Sequence, residues 1–289
     1  MTAQKIIVGY DRSSEARAAA AWALDEAALT GASVQFFYAY EWPSWAPAAA
    51  GVPSPAVWPD GETERAIDES LHEVVASAAI SHPQVQTEIS SLQASAALSL
   101  VQRSAHAGLV VVGSRGHSAV ANLLGSVGVA VSAHAHCPVV VVRGEAAAGG
   151  DIVVGVNDSH AAQLALGFAV EQAASRGATL RVLRARPPLT GLWVESPEEV
   201  QASLNVLRRS LDELLAPWRD KFPQLTMRSE VVTEHPAAAL TRAGSDARLV
   251  VVGCRGRGAL RGMVLGSVSQ HLLHHAACNV AIVHERHEA

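Results

Sequence analysis

Cysteine is scarce in this chain of 289 residues: Cys137, Cys254 and Cys278 are an odd number at wide spacing. They cannot close a disulfide framework, and they fit a reducing compartment, the cytoplasm. Charge is also sparse, at 17% of residues, and neither sign dominates: 22 Lys and Arg against 27 Asp and Glu leave a net charge of −5. Such a field draws the chain to neither nucleic acid nor an anionic membrane. Long apolar runs are missing too, because polar or charged residues break every alanine-rich stretch before it reaches spanning length. Met1 to Ile7 lead straight into a strand pattern, without the charged start, apolar stretch and cleavage site of a signal peptide. No G-x4-G-K-[ST] occurs, which sets a P-loop NTPase aside. What is present is a 49% hydrophobic content over a length that suits two domains.

The chain repeats itself. Leu109-Val-Val-Val-Gly113-Ser-Arg-Gly116 returns as Leu249-Val-Val-Val-Gly253-Cys-Arg-Gly256, and Gly125-Ser-Val127 as Gly266-Ser-Val268. Ile7-Val-Gly9-Tyr-Asp11-Arg-Ser13 answers to Val153-Val-Gly155-Val-Asn157-Asp-Ser159. The small, Gly-rich run Gly144 to Gly150 is the natural linker, giving domains 1–144 and 151–289. In the first copy β-branched runs at Lys5 to Gly9, Val34 to Ala39, Val85 to Ile89, Leu109 to Gly113 and Val139 to Arg143 predict strands. Helix-like segments at about Ser14 to Leu29, Glu62 to Ser81, Ala94 to Ala105 and Ser126 to Ala135 separate them. The second copy repeats the order with strands at Ile152 to Val156, Thr179 to Ala185, Leu225 to Val231, Leu249 to Gly253 and Val280 to His284. Runs that are apolar throughout suit strands covered on both faces, so each copy reads as a doubly wound five-stranded parallel sheet of the α/β class.

In such a sheet ligands sit outside the carboxyl ends of the strands, where the strand order reverses. The loops after the first, second and fourth strands are therefore the ones that matter. After the fourth strand of the second copy the glycines are spaced G-x2-G-x9-G-S, from Gly253 and Gly256 to Gly266 and Ser267. Gly253 and Gly256 are expected to permit positive φ and to bare backbone amides toward an anion. Gly266 and Ser267 open a helix whose unpaired N–H groups suit a phosphate. Arg255, Arg257 and Arg261 make the loop basic, and Arg115 stands where Arg255 does in the first copy. Gly256-Arg-Gly258 lacks the third glycine and the first-strand position of a dinucleotide fingerprint, which discounts NAD.

The first strand ending Gly9-x-Asp11-x-Ser13, the G-x2-G-x9-G-[ST] loop and the closing Ala135-His-Cys-Pro-Val139 together resemble the universal stress protein family, over nearly the whole chain. The tandem form is similar to its double-domain actinobacterial members, and the resemblance implies a Rossmann-like fold of the adenine nucleotide hydrolase type with bound ATP. Carried onto this sequence, it implicates Asp11, Ala39, Val112, Gly113, Arg115, Gly116, Gly125, Ser126 and Val127 in the first copy. In the second it implicates Asn157, Ala185, Val252, Gly253, Arg255, Gly256, Gly266, Ser267 and Val268. Two departures stand out. The first copy has one residue fewer between Gly116 and Gly125, and the second has Asn157 in place of the aspartate, keeping an acceptor but losing the charge. The resemblance also implies that Val139 to Arg143 pairs with Val280 to His284 within one chain, and that tandem chains form a homodimer.

His271, His274, His275 and Cys278 fall near one face of a helix, a spacing that could serve zinc or copper. The first copy does not reproduce the set, and capping of the helix end is the better reading. Cys137 and Cys278 read as buried small hydrophobes. The Trp- and Pro-rich stretch from Glu41 to Gly61 reads as a packing anchor or a lid on adenine, with Arg186 to Trp193 its shorter counterpart. The resulting expectation is a cytoplasmic ATP-binding stress-response regulator acting on a signalling partner, with Mg²⁺ accompanying the phosphates and no dedicated metal site. The alternatives are a slow ATPase or phosphotransferase at the same site, for which no catalytic residue is assigned beyond His117 as a nearby candidate, and an oligomeric scaffold that binds no nucleotide.

Overall fold

The computed structural model of the protein describes residues 5–40, 61–115, 125–143, 150–188, 196–256 and 265–285. The first half runs β1 (Lys5–Gly9), α1 (Ser14–Thr30), β2 (Ser33–Tyr40), α2 (Gly61–Ser81), β3 (Thr87–Gln93), α3 (Ala96–Ser104), β4 (Leu109–Gly113), α4 (Ser126–His134) and β5 (Val139–Val142). The second repeats it as β6 (Asp151–Gly155), α5 (His160–Arg176), β7 (Leu180–Ala185), α6 (Pro197–Lys221), β8 (Met227–Val232), α7 (Pro236–Ala243), β9 (Ala247–Gly253), α8 (Ser267–His275) and β10 (Asn279–Val283). The first helix of each half is bounded by the same local chemistry. The side chains of Ser13 and Ser159 accept from Ala16 N and Ala162 N, and Gly31 and Gly177 close the helices in the left-handed conformation at φ 72° and 60°.

The strands form one ten-stranded sheet in the order β3-β2-β1-β4-β5-β10-β9-β6-β7-β8. Every neighbouring pair is parallel except β5 and β10, which run antiparallel with Val141 opposite Val280 and Val139 opposite Ile282. The last strands of the two halves thus pair within the chain, and the order reverses at β1/β4 and again at β6/β9. Side chains alternate between faces: Leu109, Val111, Val140 and Val142 enter the core under α1, α2, α5 and α6, while Val110, Val112, Val139 and Val141 enter the one under α3, α4, α7 and α8. Both cores cross the seam between the halves.

The edge strands differ from the sequence expectation. β3 and β8 begin at Thr87 and Met227, two residues after the predicted starts. Val85 and Leu225 instead donate their N–H groups to His82 and Phe222 carbonyls in turns that end α2 and α6. Their apolar side chains mark burial beneath a turn, and the edge strands themselves are largely polar.

Polar contacts also cross the seam. Buried Gln172 of α5 donates to Glu26 of α1 at 2.7 Å, and Arg176 reaches the other oxygen of Glu26 at 2.5 Å while lying over the Trp22 ring. At the sheet, Arg143 N donates to Asn279 Oδ1 at 2.8 Å. The buried His284 places Nε2 3.0 Å from Ser132 O, so that nitrogen carries the hydrogen.

Two expected outcomes follow from the seam. Arg176→Met, which leaves the Glu26 carboxylate buried without its cation, should cost about 3 kcal/mol in urea unfolding, and adding Glu26→Gln should recover most of it. Burial, partly offset by the contact to Ser132, holds the His284 imidazole below its ordinary range. Its folded form resists the proton, so its contribution to stability is complete above about pH 6.5 and shrinks as pH falls below that value. Melting temperatures between pH 8 and pH 5 should therefore drop further for the wild type than for His284→Gln.

Candidate functional site

The site begins with two glycines that end the fourth strand of each half. A β-carbon on Gly253 would lie 2.7 Å from the carbonyl carbon and oxygen of Ala161, and one on Gly113 would lie 2.8 Å from the carbonyl carbon of Glu15. These contacts allow the first turn of α5 or α1 to press backbone against backbone onto the strand end. The expectation of positive φ at Gly253 and Gly256 is not met: among the described residues only Gly31, Gly177 and Arg12 have it. Close approach, and not turn geometry, requires these glycines.

The loop after the first strand is held by its own polar residue. Asp11 Oδ1 accepts from Ser13 N at 3.0 Å and from Ser13 Oγ at 2.5 Å, and Asn157 Oδ1 accepts from Ser159 N at 2.9 Å. The acceptor that Asn157 retains thus fixes the start of α5, and its Nδ2 faces the opposite loop, where a β-carbon on Gly256 would stand 3.1 Å away. The loop after β9 returns to the helix start through Gly266 N, which donates to Cys254 O at 2.8 Å, and Ser269 Oγ donates to Gly253 O at 2.8 Å. Gly266 is extended and makes no side-chain cap, so the first amides of α8 are not satisfied by a capping side chain. Gly125 is placed alike in the first half, with its N 3.0 Å from Ser114 O.

These turns enclose a cavity of about 490 Å³ at the carboxyl ends of β6, β7 and β9. Asn157, Ala185, Val252, Gly253, Arg255, Gly256, Gly266, Ser267 and Val268, all nine positions singled out in the second half, line it together. His235, Pro236, Leu240 and Pro187 also line it. The first three escaped sequence reasoning because they follow β8, whose loop lies off the switch point, and Pro236 at the first turn of α7 was the available signal; Pro187 falls in the stretch Arg186 to Trp193 that the sequence singled out as an anchor or lid. Among the described lining residues there is no carboxylate.

In the first half Asp11, Ala39, Val112, Gly113, Arg115, Gly125, Ser126 and Val127 occupy the same strand and helix ends. Gly116 and His117 lie outside the described residues, as do Arg257, Arg261, segments 41–60 and 189–195 and linker residues 144–149. Arg115 Nε pairs with Glu15 at 3.2 Å, and the Glu15 carboxyl is held below its ordinary range by the Ser14 hydroxyl and, more weakly, by that guanidinium. Ala161 takes the place of Glu15 in the second half, so that carboxylate has no counterpart there. In the last turn of α8 the His271 and His275 rings lie 4.4 Å apart. Cys278, beyond the helix end, is buried, and desolvation pushes its thiol up to about 11. Among the described residues no set of three or more His, Cys, Asp and Glu converges as metal ligands, and no helix is long and apolar enough to cross a membrane.

The sequence and the fold have parallels among known proteins. A universal stress protein of Mycolicibacterium smegmatis is 34% identical over 97% of this chain and 97% of its own length. One from Mycobacterium tuberculosis is 33% identical over 97% and 96%. The crystal structure of a universal stress protein from Archaeoglobus fulgidus, 16% identical, superposes with a TM-score of 0.69, covering 99% of this chain and all of that one. The sequence model of the universal stress protein family matches residues 2–143 and 150–284, and the chain accordingly belongs to that family, as a tandem member with two of its domains.

Proposed function

We propose that the second-half cavity binds ATP, that its first-half counterpart does so as well, and that the protein is a cytoplasmic nucleotide-dependent regulator in the stress response. The observation that carries this reading is that the nine residues singled out in the second half line one cavity at the switch point of the sheet. Its volume is within the range of small-ligand sites. Its lining includes the backbone around Gly256, the start of α8 and Arg255, groups suited to a phosphate chain. It also includes Ala185, Pro187 and Leu240, apolar residues suited to a nucleobase. Magnesium would enter with the phosphates and be held by them and by water, since no described lining residue is a carboxylate. Homodimerisation of tandem chains and a signalling partner that reads the ligand-bound surface complete the proposal.

Protein purified without added nucleotide and then denatured should release adenine nucleotide, and calorimetry on the stripped protein should show ATP binding without steady hydrolysis. A β-carbon at Gly266 meets Cys254 O at 3.3 Å, so Gly266→Val combined with Gly125→Val should weaken binding by roughly tenfold or more. A sample with neither retained nucleotide nor binding heat would defeat the reading, and sustained turnover abolished by the same substitutions would turn it into an enzyme.

A further inference from the structure

The second-half cavity has a titratable wall that the ATP reading does not use. His235, in the turn from β8 to α7, lines it. Its backbone is extended at the head of α7, and its side chain makes no capping hydrogen bond to that helix, which leaves the imidazole uncommitted to the fold at that point. The first half has Ser95 at the head of α3, so this imidazole belongs to one site only.

His235, itself exposed, also interacts with a group of imidazoles on α8. On α8, His271 interacts electrostatically with His235, His275 and His274, and its ring is held below the ordinary histidine range by burial first and then by those three neighbours. His275 stacks 4.4 Å from His271, and His274 lies 6.3 Å from His275. Among the described residues, charged groups near this wall include Arg255, which shares the cavity lining, Glu234, which Arg242 engages at 2.9 Å, Asp158, which Arg184 engages at 2.6 Å, and Arg186 beside the lining residues Ala185 and Pro187. An anion in a cavity lined by no described carboxylate favours the cation nearest to it, and imidazoles change charge in the near-neutral range.

We propose that His235 is a ligand-contacting residue of the second-half cavity that holds a proton when an anionic ligand is bound, so that this site strengthens its grip on a nucleoside phosphate as the medium acidifies while the first-half site does not. The inference rests on the nucleotide reading above. By linkage, binding takes up a proton, and a fall in pH favours the bound form. The two halves of one chain then respond differently to the same change, one reporting nucleotide and the other nucleotide together with acidity.

Calorimetric titration of the full chain with ATP, in a Gly125→Val background that silences the first site, tests this between about pH 8 and about pH 6. The dissociation constant should fall by about tenfold relative to that of His235→Ser, which restores the first-half residue, over the same interval. Taking the ratio to the variant cancels the titration of ATP itself. Proton uptake, read from the dependence of the heat on buffer ionisation enthalpy, should be smaller in the variant, by up to one proton, leaving only the share that belongs to ATP, and His235→Asn provides a second replacement should the serine chain fold poorly. His271→Gln, which changes the neighbour and not the wall, should retain the pH response. Equal pH profiles for the parent and His235→Ser overturn the inference and leave the nucleotide reading intact, as does a response lost in His271→Gln but kept in His235→Ser. Failure of the wild type to bind ATP at any of these pH values removes both.

Discussion

Backbone-to-backbone contact at the end of the fourth strand organises the rest of each half. With no β-carbon on Gly253, the first turn of α5 settles against the strand at Ala161, and the same contact in the first half is between Gly113 and Glu15. Contact of this kind is stiff, because no side-chain rotation can relieve it. It fixes where α5 starts, hence where the Asn157 turn lies, and it brings that turn against the loop carrying Gly256. The cavity is the space left where the two loops diverge above the switch point. Even a methyl group at Gly253 would have to push the helix off the sheet, and the approach of the two loops would be lost with it.

Duplication set the frame, and divergence at equivalent positions gave it direction. In a symmetric pair of identical domains, a residue on the axis meets its own copy. Glu26 and Gln172 stand at the same distance from their N-cap serines, so the ancestral arrangement would bury like against like. Fusion into one chain permits a carboxylate opposite an amide, with Arg176 supplying the cation. The heterologous seam contact is one that a homodimer of either half alone could not make. The same logic runs through the sites: Asp11 against Asn157, Glu15 against Ala161 and Ser95 against His235. Each exchange alters charge or titration while the backbone around it is preserved.

Much of this was legible in the sequence because its signals were local or repeated. Uniformly apolar runs such as Leu109 to Gly113 gave central strands, and the helix expected at about Ser14 to Leu29 is found at Ser14–Thr30. Repetition made the glycine loops stand out. The edge strands were less legible, since β3 and β8 are largely polar and the apolar residues beside them belong to turns. The reason for the glycines was misread for a related cause. A sequence shows that a β-carbon is missing and not what would have collided with it, and here the obstacle is a helix backbone far away in the chain. His235 was hidden in the same way: only the packing of α7 beside α8 brings the loop after the third strand to the cavity wall.

The chain is acidic overall, with a net charge of −5, yet its cavity wall carries no carboxylate among the described residues and does carry Arg255. Net charge and site charge act over different distances. At physiological ionic strength a field decays over about 8 Å, so the carboxylates spread over the outer surface act on a ligand in the cavity less than Arg255 and His235 in its wall, which are themselves exposed and act by proximity. Affinity for an anion is thus decided by a handful of groups, and exchanging one of them between the halves changes one site without disturbing the other. The shared sheet holds the strand ends of both halves in one frame, and the few residues that differ, Asp11 against Asn157 and Ser95 against His235 among them, set the charge at each.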